Sequence, residues 1–266
     1  MAFIPPSIQR ASQPAMRNIR LTIAYDGTDY SGWQRQKNAI TIQGELERCL
    51  QTITTNPISL HGAGRTDAGV HAKAMVANFH TDAAISCPAL IRGLNGLLPR
   101  SIRILHACEE VHGFHARFSA KAKTYTYSFF TGPIQSPMQR LYSVHLPHLP
   151  QQERIQLCLE KITGTHDFAS FEASGSRDLN APSVRGAVRT LLEATFTQIS
   201  PEAYQFQFTA DGFLRHMVRN LVGTLLEAGK GRRTILEFEQ ILQARNRRSA
   251  GPTAPAHGLV LEKIYY

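Results

Sequence analysis

Acidic residues are scarce in this chain of 266 residues: 20 Asp and Glu stand against 29 Lys and Arg, giving a formal net charge of +9 and a pI near 9.7. Such a balance is unusual for an enzyme of small neutral metabolites and points to a polyanionic partner, nucleic acid first and an anionic membrane second. Long apolar runs are missing too. None approaches the roughly 18 to 20 residues needed to span a bilayer, and no polybasic amphipathic helix stands out, which counts against the membrane. Cysteine is sparse. Cys49, Cys87, Cys108 and Cys158 are scattered with no C-x-x-C pair, so neither a zinc ribbon nor a disulfide framework is indicated, and the thiols are expected to be reduced, in a cytoplasmic protein. Residues 1–17 hold no acid, three prolines and two arginines. They lack the helical amphipathicity of a transit peptide and are expected to form a disordered tail.

What is present suffices for a proper core: 42% of the residues are hydrophobic, enough for one large or two smaller domains. Alternation and helical periodicity predict a strand over 18–25, a helix opening at the Thr41 cap with Leu46, Cys49 and Leu50 inward, strands over 57–61 and 73–81, a helix over 88–98 and a strand over 101–107. The order is βαββαβ. It recurs as a strand over 123–130, a helix over 151–162, strands over 187–197 and 204–210, helices over 214–228 and 235–244, and a strand over 259–265. This is an α+β, ferredoxin-like arrangement used twice, with halves at 18–112 and 113–266 whose residues show no repeat. Long loops at 131–150 and 171–185 interrupt the second half, and loops of that size are often functional.

The stretch that ordinary folding explains least is residues 62–72, Gly-Ala-Gly-Arg-Thr-Asp-Ala-Gly-Val-His-Ala. Its glycines permit positive φ or close backbone approach where a strand opens into a loop. If the loop stays extended, Arg65 and Asp67 point the same way, and a guanidinium beside a carboxylate favours its charged form. Such an acid is equipped to act as nucleophile or base, or to order a cation; equally, it is a solvated ion pair on a connection between strands. The glycine spacing breaks the G-x-G-x-x-G fingerprint, and Val70 and His71 stand where a phosphate loop needs Lys and Ser or Thr. An aspartic protease needs two Asp-Thr/Ser-Gly loops, and this chain has Asp67-Ala68-Gly69 once. His106, Cys108, His112 and His115 with Glu109 match no standard metal spacing, and the zinc-deaminase signature is missing. The cations gather at Arg35 and Lys37; at Arg117, Lys121 and Lys123; at Arg215 and Arg219; and from Lys230 to Arg248. Trp33, Phe114, Phe118, Tyr125 and Tyr127 interleave with them, either to stack on unpaired bases or to pack the core.

Together with residues 62–72, the blocks Ala24-Tyr25-Asp26-Gly27 and Gly32-Trp33-Gln34-Arg35-Gln36 resemble the TruA family of tRNA pseudouridine synthases. So do Phe114-His115-Ala116-Arg117-Phe118-Ser119-Ala120, Tyr125 with Tyr127, His166-Asp167-Phe168, the block from Gly212 through Arg215 and Arg219 to Asn220, and Ala256-His257-Gly258-Leu259. They occur in family order, and the resemblance runs from about Arg20 to the C-terminus. It departs at Ala74-Met75, where the family usually has Gly-Gln; a packing change in the strand behind the loop is expected.

The resemblance implies a pseudouridine synthase fold: two ferredoxin-like (βαββαβ) halves with a mixed or antiparallel sheet and a central basic cleft, Asp67 coming from the first half and Arg215 from the second. It implies a cofactor-free, metal-free isomerase, a homodimer acting in the cytoplasm on the anticodon arm of tRNA at uridines 38, 39 and 40. Asp67 falls on the catalytic carboxylate. Arg65 falls on the arginine that displaces the target base and pairs with the aspartate, and Tyr125 on the tyrosine that stacks on the uracil. Phe114, His115, Ala116, Arg117 and Phe118, with Ser174, Gly175, Ser176, Arg177 and Asp178, fall on RNA-contacting stretches. Two other readings stand beside this one: a non-catalytic RNA-binding module of the same fold, and a related synthase acting on other RNA.

Overall fold

The protein is described here from a computed structural model, which covers residues 16–176 and 185–266. The first half runs β1 (Arg17–Tyr25), α1 (Ile42–Thr54), β2 (His61–Gly62), β3 (His71–Thr81), α2 (Cys87–Leu97) and β4 (Ile102–Glu110). The second runs β5 (Ala122–Thr131), β6 (Val144–Leu146), α3 (Gln152–Ile162), β7 (Gly164–Asp167), β8 (Val188–Gln198), β9 (Ala203–Ala210), α4 (Met217–Gly229), α5 (Ile235–Ala244) and β10 (Leu259–Tyr265).

All ten strands belong to one sheet in the order β4-β1-β3-β10-β5-β9-β8-β7, with β2 on β3 and β6 on β5. The same permutation appears twice: last strand, first, third, second, as β4-β1-β3-β2 and again as β10-β5-β9-β8. The two sets join where β10 runs parallel to β3, Val260 opposite His71 and Leu261 opposite Ala72. That junction begins at the residue directly after the glycine-rich loop, so the loop lies where the halves meet.

Period-two burial builds the strands. In β1, Ile19, Leu21, Ile23 and Tyr25 are buried on one face. In β5, Tyr125, Tyr127 and Phe129 join the hydrophobic core, while Thr124 and Thr126 turn to the other face, where they bond to Thr209 and Glu262. Helix α1 buries Ile42, Leu46, Cys49 and Leu50, and Thr41 caps it by accepting from the Gly44 amide; helix α5 opens with a capping box between Thr234 and Glu237. Met75 is fully buried in the core opposite Ile23, so the departure at this position is one of packing. No described helix is long and apolar enough to cross a membrane.

Four expectations need correction. The strand expected over 57–61 shrinks to the two residues of β2, because Pro57 has no N–H to give and the Leu60 amide and carbonyl bond to the side chains of Glu47 and Gln43 on α1. The long segment 131–150 carries β6, parallel to β5, and β7 adds an edge to β8. Helix α4 starts at Met217 because His216 adopts φ +61°. Of the expected tail of residues 1–17, residues 1–15 lie outside the described residues, and Arg17 already belongs to β1, its guanidinium donating to the carbonyls of Ala83 and Ile85.

Candidate active site

The loop between β2 and β3 is clamped by the segment that follows β1. The Trp33 amide donates to the Thr66 carbonyl at 3.0 Å and the Gly69 amide to the Tyr30 carbonyl at 3.3 Å, while the Tyr25 and Thr66 hydroxyls lie 2.7 Å apart. Gly32, at φ +90°, is required here, since a Cβ on it would fall 2.6 Å from the Thr66 carbonyl oxygen. Gly62 is required for a different reason: its missing side chain leaves room for the Trp33 indole, 2.6 Å from where a Cβ would stand. The two glycine-bearing blocks of the sequence are thus the two sides of one contact.

Thr66 points into this clamp, Arg65 stands exposed, and the turn closed by the Val70 amide on the Asp67 carbonyl aims Asp67 at the second half. There the Arg219 Nη1 of α4 donates to Asp67 Oδ2 at 3.1 Å, and its Nε donates to the Ala254 carbonyl at 2.8 Å. His216 Nε2 lies 3.5 Å from Asp67 Oδ1. Burial lowers the His216 pKa against the pull of the Asp67 charge, so the imidazole is neutral at pH 7 and Arg219 is the cation of the pair. The expected pairing of Asp67 with Arg65 is therefore corrected: the Asp67 carboxylate meets Arg219 and His216 of the second half, and Arg65 makes no ion pair among the described residues.

Tyr125 faces this carboxylate. Its ring is buried and meets Phe213 edge-on, centroids 5.1 Å apart. Burial, then the charge of Asp67, pushes the phenol above its ordinary pKa, so it stays protonated. Tyr127, on the same face of β5, is wholly buried and donates to the Pro255 carbonyl at 3.0 Å; it is core.

Around Asp67 and Tyr125 opens a cleft of about 1470 Å³. Its cations are Arg35, Arg65, Arg117, Lys123, Arg215 and Arg219; its acids are Asp67 and Glu47. Glu47 is engaged by Arg35 at 3.1 Å and by the Leu60 amide at 3.1 Å. Asp26, in the clamping segment, is engaged too, by the Tyr142 hydroxyl at 2.6 Å and by Thr28. Asp67 is thus the acid presented to the cleft. Among the described residues, no group of three or more His, Cys, Asp or Glu side chains is arranged to hold a metal ion.

The remaining expected site residues divide. His115, Arg117, Phe118, Ser176 and Arg215 line the cleft, and Phe118 is 77% exposed with the Arg117 guanidinium over its ring. Ser174 lines an adjoining pocket of about 460 Å³ with Arg215, His216, Arg247 and Arg248, and Gly175 forms an exposed turn at φ +67°. Phe114 and Ala116 do not reach the cleft and are corrected to structural residues. Phe114 is buried against Tyr266 with Arg20 over its ring, and the fully buried Ala116 bonds through its backbone to Asn78 and Tyr266. Arg177 and Asp178 lie outside the described residues. Sequence reasoning missed the roles of Arg219 and His216: both sit in a block that carries the resemblance, yet nothing local says that they meet a loop about 150 residues earlier.

The profile of the tRNA pseudouridine synthase family matches residues 21–119 and 158–266. The chain is 54% identical over 251 residues to "tRNA pseudouridine synthase A 1" of Desulfotalea psychrophila, covering 94% of this chain and 100% of the relative. It is 41% identical over 251 residues to tRNA pseudouridine synthase A of Acetivibrio thermocellus, with 94% and 100% covered, and 40% identical over 254 residues to that of Lacticaseibacillus casei, with the same shares covered. With the family profile matching well over half of the chain, and these relatives 40 to 54% identical over 94% of it, this chain belongs to the tRNA pseudouridine synthase family.

Proposed function

We propose that this protein isomerises uridine to pseudouridine at positions 38, 39 and 40 of the tRNA anticodon arm, with Asp67 as the catalytic carboxylate. The observation that carries the reading is the Asp67 carboxylate, held by Arg219 at 3.1 Å and turned towards the buried Tyr125 in a cleft walled by cations. The reaction breaks the C1′–N1 bond, rotates the retained uracil and joins C1′ to C5; the proton leaving C5 and the one gained at N1 balance, and no redox partner is called for. Attack on C1′, attack on C6 and removal of the 2′ proton all draw on an ionised carboxylate, and the fixed Arg219 guanidinium favours that form.

Tyr125 has a second part to play. With its phenol protonated and its ring edge pinned by Phe213, it offers a rigid flat surface on which the freed uracil stacks. A base of the arm must first leave its stack, which costs a few kcal/mol. The exposed Arg65, at the mouth of the loop, fills the place of the departing base, and Phe118, Arg117 and Arg215 hold the surrounding RNA. The protein works as a homodimer in the cytoplasm in this reading, as the TruA resemblance implies.

The test is to incubate the pure protein with unmodified tRNA transcripts and map pseudouridine. Product at 38, 39 or 40 supports the proposal. Product elsewhere favours a synthase of other specificity, and none in a folded, RNA-binding preparation favours a silent RNA-binding module.

A further inference from the structure

Lys123 lies on β5 two residues before Tyr125, so both side chains leave the strand on one face. Its ammonium donates to the Ala63 carbonyl at 2.7 Å. It also sits against the next residue, where a Cβ on Gly64 would come within 3.2 Å of Nζ. The side chain thus reaches from the strand that carries Tyr125 to the root of the loop that carries Asp67, and it lines the same cleft.

An ammonium has three donors; among the described residues Lys123 uses one, and no carboxylate there pairs with it. The charged groups that face it are cations, Arg117 on the link between β4 and β5 and Arg189 on β8. Burial first, and then these two, lower its pKa to about 8. Burying a charge without an opposite charge is unfavourable, so this corner of the free protein, poor in anions and well supplied with donors, is suited to receive an anion. Every nucleotide brings one anion, its phosphodiester, tied through the ribose to the base.

We propose that Lys123 is a further positioning residue of the reaction, whose ammonium, fastened to Ala63, holds the phosphate of the nucleotide whose base enters the cleft beside Asp67. The inference rests on the reading of this cleft as the uridine site. A phosphate held there is referred at once to the strand bearing Tyr125 and to the root of the Asp67 loop, which sets the distance from sugar to carboxylate. Arg117, which lines the same cleft, then shares an anion with Lys123 instead of repelling it.

The experiment compares wild type, Lys123→Met and Lys123→Arg, measuring affinity for a tRNA transcript against salt and between pH 7 and 9, and pseudouridine formed in a single turnover. Lys123→Met is expected to reduce the slope of log affinity against log salt by about 0.7 to 0.9 and the single-turnover rate at saturating tRNA at least ten-fold. The ammonium is present below a pH of about 8 and lost above it. Wild-type affinity should therefore fall by up to about ten-fold from pH 7 to 9, whereas Lys123→Arg, charged throughout, should keep the slope and stay flat. His115 on the same link, held below its ordinary pKa by burial, is neutral across this window.

A wild-type salt slope in Lys123→Met overturns the proposal, leaving Lys123 as a brace for the loop. So does a pH-dependent loss that persists in Lys123→Arg, which decides the matter even if the Met variant does not fold. Absence of product from wild type sinks the uridine-site reading instead; product from wild type with unaltered binding by both variants sinks only the role of Lys123.

Discussion

Arg219→Met removes the guanidinium that holds Asp67 while keeping most of the apolar stem. The pair is partly buried, with side-chain exposures of 15% for Arg219 and 23% for Asp67, so solvent screens it only in part. A hydrogen bond to a charged group contributes about 1.5 to 3 kcal/mol. The 3.1 Å separation is long for such a bond, which puts this one at the lower end, about 1.5 to 2 kcal/mol. If Arg219 acts by aiming and stabilising the carboxylate, that amount appears in the barrier and slows a single turnover roughly ten- to thirty-fold. The bond to the Ala254 carbonyl is lost as well, so the total destabilisation comes to about 2 to 3 kcal/mol, or about 4 to 12 °C in Tm for a chain of this size. The assay is single-turnover pseudouridine formation at saturating tRNA, joined to a thermal double-mutant cycle with Asp67→Ala, which removes both oxygens from Arg219. A coupling of about 1 to 2 kcal/mol is expected in the cycle. A rate within two-fold of wild type, or additive losses of stability, would refute the pairing as a functional contact.

Tyr125→Leu should lose roughly ten- to a hundred-fold in single-turnover rate, the worth of one base stacked on an aromatic ring at about 1 to 3 kcal/mol; unchanged kinetics would make Tyr125 merely a core residue. Tyr125→Phe separates ring from hydroxyl: a near-normal rate assigns the role to the ring, while loss of turnover with intact tRNA binding assigns a proton transfer to the phenol. Affinity for tRNA should fall steeply with salt, and Arg117→Ala and Arg215→Ala should each reduce the log–log slope by about one; a flat salt dependence in wild type contradicts phosphate-dominated binding. Phe114→Ala should lower stability by about 3 kcal/mol and leave the salt slope alone, and a folded variant with a reduced slope would return Phe114 to the RNA surface.

Elements with a strong period were legible in the sequence, and their agreement has a physical basis. Helix α5 and strand β10 fall where their apolar spacing puts them, and Thr41 caps α1 because its hydroxyl is well placed to satisfy an otherwise orphan amide. What stayed hidden depended on distant partners. The backbone around Leu60 had the composition of a strand but bonds to side chains of α1, and β6 and β7, at three and four residues, are too short to show a period. Within the site, the Asp67 loop could be singled out locally because three glycines, an arginine and an aspartate in eight positions suit neither a helix nor a strand. Its cation could not, since Arg219 reaches it across 152 positions. Phe114 and Ala116 stand in a block that resembles an RNA-contacting stretch, yet motif similarity says nothing about exposure: alternate positions of that block turn into the core, leaving His115, Arg117 and Phe118 to the cleft.

The proposed function stands on one carboxylate, Asp67. Asp67→Asn is nearly isosteric, keeps a hydrogen-bond acceptor for Arg219 and cannot act as an ionised acid. Pseudouridine formation by that variant, measured on unmodified tRNA with a preparation free of wild-type enzyme, is predicted to be undetectable while tRNA affinity stays within a few fold of wild type. Measurable turnover by Asp67→Asn would show that the Asp67 carboxylate is not the catalytic group.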